Sequence, residues 1–339
     1  MKEPVIDAPT LSVVVPLYDE AEVLPLFAER LRPALDALGE TYEVLAVDDG
    51  STDATPVLLE RLRREWPAVR VVRLRANSGH QAALSAGLAR ARGAWVVSID
   101  ADLQDPPETI AAMLQAARSQ GVDVVYGVRT DRSSDSAFKR GTAALFYRLI
   151  GRSARGAVSH AGDFRLMSRA TVDAVNVLPE HHRVLRLVVP ALGFPSTSVG
   201  YRREARAAGR SKYPFGKMLR LSVDSITGFS VAPLRMATWF GLVGAVAAVG
   251  LLVYAFVSFV TGHTTPGWTS TFVVVAAVGA LQLLALGVLG EYVGRMYTQL
   301  QGRPSYFVAY DSIDQPSTAD QGRRASTISD TPGSERTGR

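Results

Sequence analysis

Two aspartates one residue apart, Asp100 and Asp102, stand in Ser98-Ile99-Asp100-Ala101-Asp102-Leu103-Gln104-Asp105-Pro106-Pro107-Glu108. They follow Ala94-Trp95-Val96-Val97, a short apolar run that reads as a buried parallel strand, so both fall where that strand ends. Residues two apart on an extended segment point the same way. Two carboxylates so placed repel unless a positive charge lies between them, and oxygen-only ligands suit a hard divalent ion such as Mg²⁺ or Mn²⁺. A solvated turn leaves that crowding unexplained. Asp105, ahead of Pro106-Pro107-Glu108, reads instead as a helix start.

The elements that must hold this pair alternate in type. Leu11–Pro16 reads as a first buried strand, and Tyr18-Asp19-Glu20-Ala21-Glu22 as the acidic opening of the helix after it. Glu43–Val47 is a second strand, running into another acidic pair in Asp48-Asp49-Gly50-Ser51-Thr52-Asp53. Val69–Leu74 is a third, ending at Asn77-Ser78-Gly79-His80-Gln81 before an alanine-rich helix to Ala91, and Asp123–Tyr126 is a fifth. Strands and helices alternating through short links predict an α/β fold with a doubly wound, mostly parallel sheet, whose ligands sit at the carboxyl ends of the strands. No Gly-x-Gly-x-x-Gly follows the first strand and no Walker A motif occurs, which disfavours a dinucleotide cofactor.

The 339 residues carry a net charge of +5 and no cysteine, so disulfides and thiolate metal sites are excluded. Basic residues scattered among apolar faces suit a membrane surface and not nucleic acid. The N-terminus is too polar for a signal peptide. Met236–Val260 and Thr269–Gly290 lack charged residues and match the ~20 apolar residues that cross a bilayer. Arg235, Arg295 and Arg303 outside them place both outer ends in the cytoplasm, with the turn carrying His263 and Pro266 on the other side. Phe138–Ile150 and Pro214–Ser230 mix basic and large apolar residues, as interfacial helices do; a core-facing helix with a solvated basic side is the alternative for the first. The expected division is a tail over 1–10, a catalytic domain over 11–212, a juxtamembrane helix over 213–232, two spans with an extension over 233–310, and a disordered tail over 311–339.

The runs Val13-Val14-Val15-Pro16-Leu17-Tyr18-Asp19-Glu20, Val47-Asp48-Asp49-Gly50-Ser51-Thr52-Asp53 and Asp100–Glu108 resemble family 2 glycosyltransferases of the GT-A fold. Asn77–Leu84, Ala161–Met167 and Gly209-Arg210-Ser211-Lys212-Tyr213 extend the resemblance toward the polyprenyl-phosphate glycosyltransferases, the group of dolichyl-phosphate mannose synthase and bactoprenol glucosyl transferases. Asp19 departs from the family's usual Asn. The resemblance implies that Pro16, Tyr18, Glu20, Asp48, Asp49, Asn77, Gln81 and Asp100 line a nucleotide-sugar pocket closed by Arg210, Ser211 and Lys212. It implies that Asp100, Asp102 and Gln104 hold Mg²⁺ or Mn²⁺ at the diphosphate, that Arg129, Lys139 and Arg140 meet the acceptor phosphate, and that Asp102, Asp163 and Arg165 serve catalysis. Asp163 is either a general base or an orienting group. His80 is either a pocket residue or a cap, and His181-His182 lies near the acceptor.

The expected reaction is inverting transfer from a UDP-hexose to polyprenyl phosphate at the cytoplasmic face of the inner (plasma) membrane, with GDP-mannose as the other donor class. A non-catalytic nucleotide-sugar-binding adaptor is the alternative of another kind, and a processive synthase would carry a Gln-x-x-Arg-Trp motif that is absent. Partners expected besides the UDP-sugar, polyprenyl phosphate and membrane lipid are a second copy of the chain and a small membrane flippase.

Overall fold

The structure, a computed structural model, describes residues 8–130, 161–179, 183–202, 204, 232–262 and 267–313. Expectations for the helix from Phe138 to Ile150 with Lys139 and Arg140, His181, His182, the run Gly209-Arg210-Ser211-Lys212-Tyr213, the helix from Pro214 to Ser230, His263 and Pro266 lie outside the described residues.

Among those described, one sheet holds β1 (Leu11–Leu17), β2 (Tyr42–Asp48), β3 (Val69–Leu74), β4 (Trp95–Ser98), β5 (Val124–Arg129), β6 (Ala161–Ser168), β7 (Ser196–Tyr201) and β8 (Val308–Asp311). Their order is β7-β5-β6-β4-β1-β2-β3-β8. The β1–β2, β1–β4, β2–β3 and β5–β7 pairings are parallel, while β4–β6, β5–β6 and β3–β8 are antiparallel. The α/β class is as expected; the mixture comes from antiparallel β6 and β8, and sequence periodicity singled out neither of these nor β7.

The helices are α1 (Leu24–Asp36), α2 (Thr55–Glu65), α3 (His80–Leu88), α4 (Thr109–Gln120), α5 (Arg169–Val177), α6 (Leu185–Ala191), α7 (Ala232–Val260) and α8 (Trp268–Leu300). Strand side chains alternate between two cores, as their period of two requires. Val13, Val15, Val44 and Ala46 face α1, α2 and α4, whereas Val14, Leu45 and Val47 face α3, α5 and α6. On α1 the buried Leu24, Phe27, Ala28, Leu31 and Leu35 recur at helical spacing. That helix starts at Leu24 with Pro in its first turn, not at Tyr18, because Asp19 takes a left-handed φ of 51° and turns the chain first. α3 lies close on β1: a Cβ on Gly87 would come within 2.3 Å of Val14 Cγ1.

α7 and α8 contain two stretches long and apolar enough to cross a membrane, Met236–Val260 and Val273–Leu300. They run side by side, with Gly244 facing Leu281. The second helix does not stop at Gly290 but continues to Leu300, carrying a Glu291–Arg295 ion pair of 2.9 Å across one turn. Near its end Gln299 Nε2 donates to Pro179 O at 2.7 Å.

Asp311, placed at the start of the expected tail, belongs instead to the sheet, where residues 308–311 form β8 against β3. Asp311 is buried; it accepts from Arg70 Nε at 2.9 Å and lies 3.3 Å from Arg90 Nε. Burial alone would push its carboxyl up, but Arg70, the Ile313 N–H and Arg90 outweigh burial and hold it below its ordinary value. This stabilisation is present above the ordinary carboxylate pKa and is lost as pH falls through the depressed one. Asp311→Ala strands the buried Arg70 charge, at a cost of ~3 kcal/mol. The expected result is a thermal midpoint lowered by roughly 5–10 °C in detergent at pH 7, with a smaller gap below pH 3, measured by differential scanning fluorimetry.

Candidate functional site

The carboxyl ends of β1, β2 and β4 lie along one edge because those strands are mutually parallel. Antiparallel β6 pairs Ser98 of β4 with Arg165, which brings its early residues, Asp163 among them, to the same edge. Asp100 follows β4 by two residues. Ser98 Oγ donates to the Asp163 carbonyl at 2.5 Å and fixes the two segments to each other. Topology therefore joins residues that the chain separates by some sixty positions.

At the β1 and β2 ends, acidic side chains do structural work. Asp49 is buried and accepts from Ser78 N at 2.7 Å and Gly79 N at 2.8 Å, tying the loop after β3 to β2. Burial raises its pKa despite these two bonds. Asp48 is fully buried; Oδ1 accepts from Ser51 N at 2.8 Å, and Oδ2 lies 3.1 Å from Arg73 Nε without a hydrogen bond. Asp19 Oδ1 accepts from Thr52 N at 2.8 Å and Asp53 N at 3.3 Å, and Asp19 N donates to Ser51 Oγ. An amide oxygen could accept the same bonds, and Asn and Asp both tolerate a left-handed backbone, so the departure from Asn leaves this junction intact. Pro16 is buried in β1, Tyr18 and Glu20 lie in the loop beyond it, and Glu20 N donates to Thr55 Oγ1. Asn77 is exposed on the adjoining loop.

The centre of the site is Asp163. Its carboxylate meets Arg165 Nη2 through Oδ1, and Oδ2 accepts from Gln81 Nε2 at 3.1 Å and lies 3.4 Å from His80 Nε2. Burial raises its pKa, but the His80 contact and the Arg165 charge prevail and hold it well below the carboxylate range. Arg165 is 1% exposed, and its Nε and Nη1 have no hydrogen-bond partner. Gln81 also accepts from Leu185 N at 2.9 Å through Oε1, fastening α6 to the site. Arg186, the next residue, is exposed and adds positive potential at Asp163. Nothing in its local sequence pointed there.

Asp100 behaves oppositely. Burial, reinforced by the charges of Asp163, Asp105 and Asp102 and only partly relieved by His80 at 3.6 Å, pushes its pKa up to about 6. His80 is itself raised: burial lowers it, and Asp163 and Asp100 more than reverse that. Asp102 Oδ1 accepts from Gln104 N at 3.1 Å, and Leu103 between them holds a left-handed φ of 59° with its side chain buried. Bulky residues rarely adopt that conformation, so the acid loop is locally strained. Asp105 is not the helix cap expected. α4 starts at Thr109, and Asp105 is buried, accepts a hydrogen bond from the Tyr201 hydroxyl, and lies 3.8 Å from Arg129 Nη2.

Among the described residues no group of three or more His, Cys, Asp or Glu side chains is arranged to hold a metal ion by itself. Asp100 and Asp102 nonetheless fit a hard divalent cation, since burial, with the surrounding carboxylates, disfavours an uncompensated charge on Asp100, and such an ion commonly takes one or two carboxylates with substrate phosphates and water.

The profile described as Glycosyl transferase family 2 matches residues 12–175. A Bacillus subtilis protein named uncharacterized glycosyltransferase YkcC is 41% identical over 299 residues, 88% of this chain and 92% of that one. The chain belongs to the family 2 glycosyltransferases. The SfII prophage-derived bactoprenol glucosyl transferase of Shigella flexneri is 36% identical to the transferase over 302 residues, 88% of this chain and 97% of that one. Among solved structures, glucosyl-3-phosphoglycerate synthase from Mycobacterium tuberculosis matches 65% of this chain and 78% of that one at 21% identity, with a TM-score of 0.44.

The junction of the β2 and β3 loops gives a direct test. Gly50 has φ 71°, and a Cβ there would lie 2.7 Å from the Ala76 backbone carbon. Gly50→Ala must part the two loops that carry Asp48, Asp49 and His80. Transferase activity of isolated membranes should fall about tenfold or more while far-UV circular dichroism stays that of the parent.

Proposed function

We propose that the transferase moves one sugar, with inversion, from a nucleotide sugar of the UDP-hexose class to polyprenyl phosphate at the cytoplasmic face of the inner membrane. The supporting observation is the near full-length likeness to bactoprenol glucosyl transferases: a match over 88% of this chain is too long to end before α7 and α8. Two apolar helices beside the catalytic sheet suit an acceptor that resides in lipid.

In this reading Pro16, Tyr18, Glu20, Asp48, Asp49, Asn77 and Gln81 form the nucleotide-sugar pocket, with Arg210, Ser211 and Lys212 as its closing clamp. Asp100, Asp102 and Gln104 hold Mg²⁺ or Mn²⁺. When bound, the cation neutralises charge that develops on the departing diphosphate. Arg129, with Lys139 and Arg140, receives the acceptor phosphate, a task that suits a fork of donors.

The acceptor is a phosphate monoester whose second pKa near ~6 leaves it ionised at neutral pH, so its oxygen attacks without prior proton removal. Asp163 fits an orienting role better than a basic one. A carboxylate held far below its ordinary pKa by Arg165 and His80 is a weak proton acceptor and a firm anchor. In-line placement of acceptor oxygen, anomeric carbon and leaving group is then the main work of the protein.

Membranes containing the transferase, a radiolabelled UDP-hexose and undecaprenyl phosphate should yield a labelled lipid extractable into chloroform. No labelled lipid with any UDP- or GDP-sugar would favour the adaptor. In the same assay Asp163→Asn should lower the rate by about 10²-fold or more across pH 6–9. Recovery of most activity at the alkaline end would contradict the orienting role and restore the general base.

A further inference from the structure

The end of β7 is stitched to the acid loop at several points. Glu204 N donates to Gln104 O at 3.2 Å. Glu204 and Glu108 both hold Arg30 of α1, at 2.6 and 2.7 Å. Nearer the chemistry, the Tyr201 hydroxyl donates to Asp105 Oδ1 and accepts from Arg129 Nε at 3.3 Å. Tyr201 is 5% exposed, its ring stands edge-on to Phe164 at 5.6 Å, and Phe164 directly follows Asp163.

Arg129 and Tyr201 are register partners on parallel strands, each the last residue of its own. Two chain ends leaving a sheet side by side have little to fix the long side chain of one of them. The phenol supplies that restraint. Its single proton is donated to Asp105, so its lone pairs remain for the guanidinium, and engaging Nε leaves Nη1 for a ligand while Nη2 stands 3.8 Å from Asp105 Oδ1. A phenylalanine would fill the same space and keep the contact with Phe164. The hydroxyl is the hydrogen-bonded link between the loop of Asp100 and Asp102 and the arginine, beside that longer ion pair.

We propose that Tyr201 is a positioning residue: its hydroxyl aims Arg129 so that an anionic phosphate acceptor is presented beside the carboxylate pair. This rests on reading Arg129 as a ligand of the acceptor phosphate. The hydroxyl would then govern use of the acceptor and leave the donor's affinity alone.

Full-length Tyr201→Phe, Arg129→Gln and the double variant are compared in detergent with undecaprenyl phosphate and the preferred UDP-hexose, alongside thermal unfolding. Tyr201→Phe should raise the acceptor KM about tenfold and change the donor KM less than about twofold, with the thermal midpoint lowered by only a few degrees for the donor that buried Asp105 loses. Arg129→Gln should raise the acceptor KM at least as much, and the double variant should be no worse than Arg129→Gln alone. An unchanged acceptor KM in Tyr201→Phe, beside a raised one in Arg129→Gln, overturns the inference and spares the reading of Arg129. Additive losses in the double variant, or equal damage to the donor KM, also overturn it. A parental acceptor KM in Arg129→Gln removes the reading of Arg129, and the role of Tyr201 with it.

Discussion

Crowding of negative charge at one sheet edge governs this structure. Asp100, Asp102, Asp105 and Asp163 act on one another there, and desolvation strengthens every such interaction. The protein answers unevenly. Asp163 has Arg165 and His80 and stays firmly ionised; Asp105 has the Tyr201 hydroxyl and Arg129 nearby; Asp100 has only a distant His80 and its pKa rises to about 6. The rise at Asp100 supports the proposal that an external cation binds there together with Asp102. Neighbouring carboxylates pushed apart in pKa serve different roles.

The sheet produces this crowding by setting antiparallel β6 between β4 and β5. Parallel β1, β2 and β4 bring their carboxyl ends together, and β6 then runs antiparallel into β4. Without that reversal Asp163 would lie far from Asp100. At the opposite flank β8 closes the sheet on β3, and Asp311 locks it through Arg70 and Arg90. Only a short connection separates β8 from the end of α8, so the second apolar helix is moored to the sheet at both Gln299 and β8.

How much of this was legible in the sequence depended on where each signal lay. The first five strands were readable as short apolar runs, and the acidic pairs at Asp48 and Asp100 stood out because the runs of β2 and β4 lead straight into Asp, a local pattern. The apolar helices were readable for the same reason, although α8 outlasts its uncharged stretch because Glu291 and Arg295 pair across a turn. β6, β7 and β8 were not. β6 carries Asp163 and Arg165 inside what periodicity would make a broken strand, β7 is half exposed, and β8 is four residues long. Asp105 misled because Asp before Pro-Pro reads as a helix cap; its partner, Tyr201, lies 96 positions away. Arg186 comes near Asp163 beside Leu185, whose N–H Gln81 holds, a contact no spacing encodes.

The central claim is that Asp100 and Asp102 together bind a divalent cation along with the nucleoside diphosphate. Equilibrium binding of Mn²⁺ to the purified full chain, followed by electron paramagnetic resonance with UDP present, tests it without turnover. The account predicts one Mn²⁺ site whose affinity drops about 100-fold or more in Asp100→Asn/Asp102→Asn while the thermal midpoint is kept or rises, because repulsion is relieved. Equal Mn²⁺ affinity in the parent and that variant would contradict it.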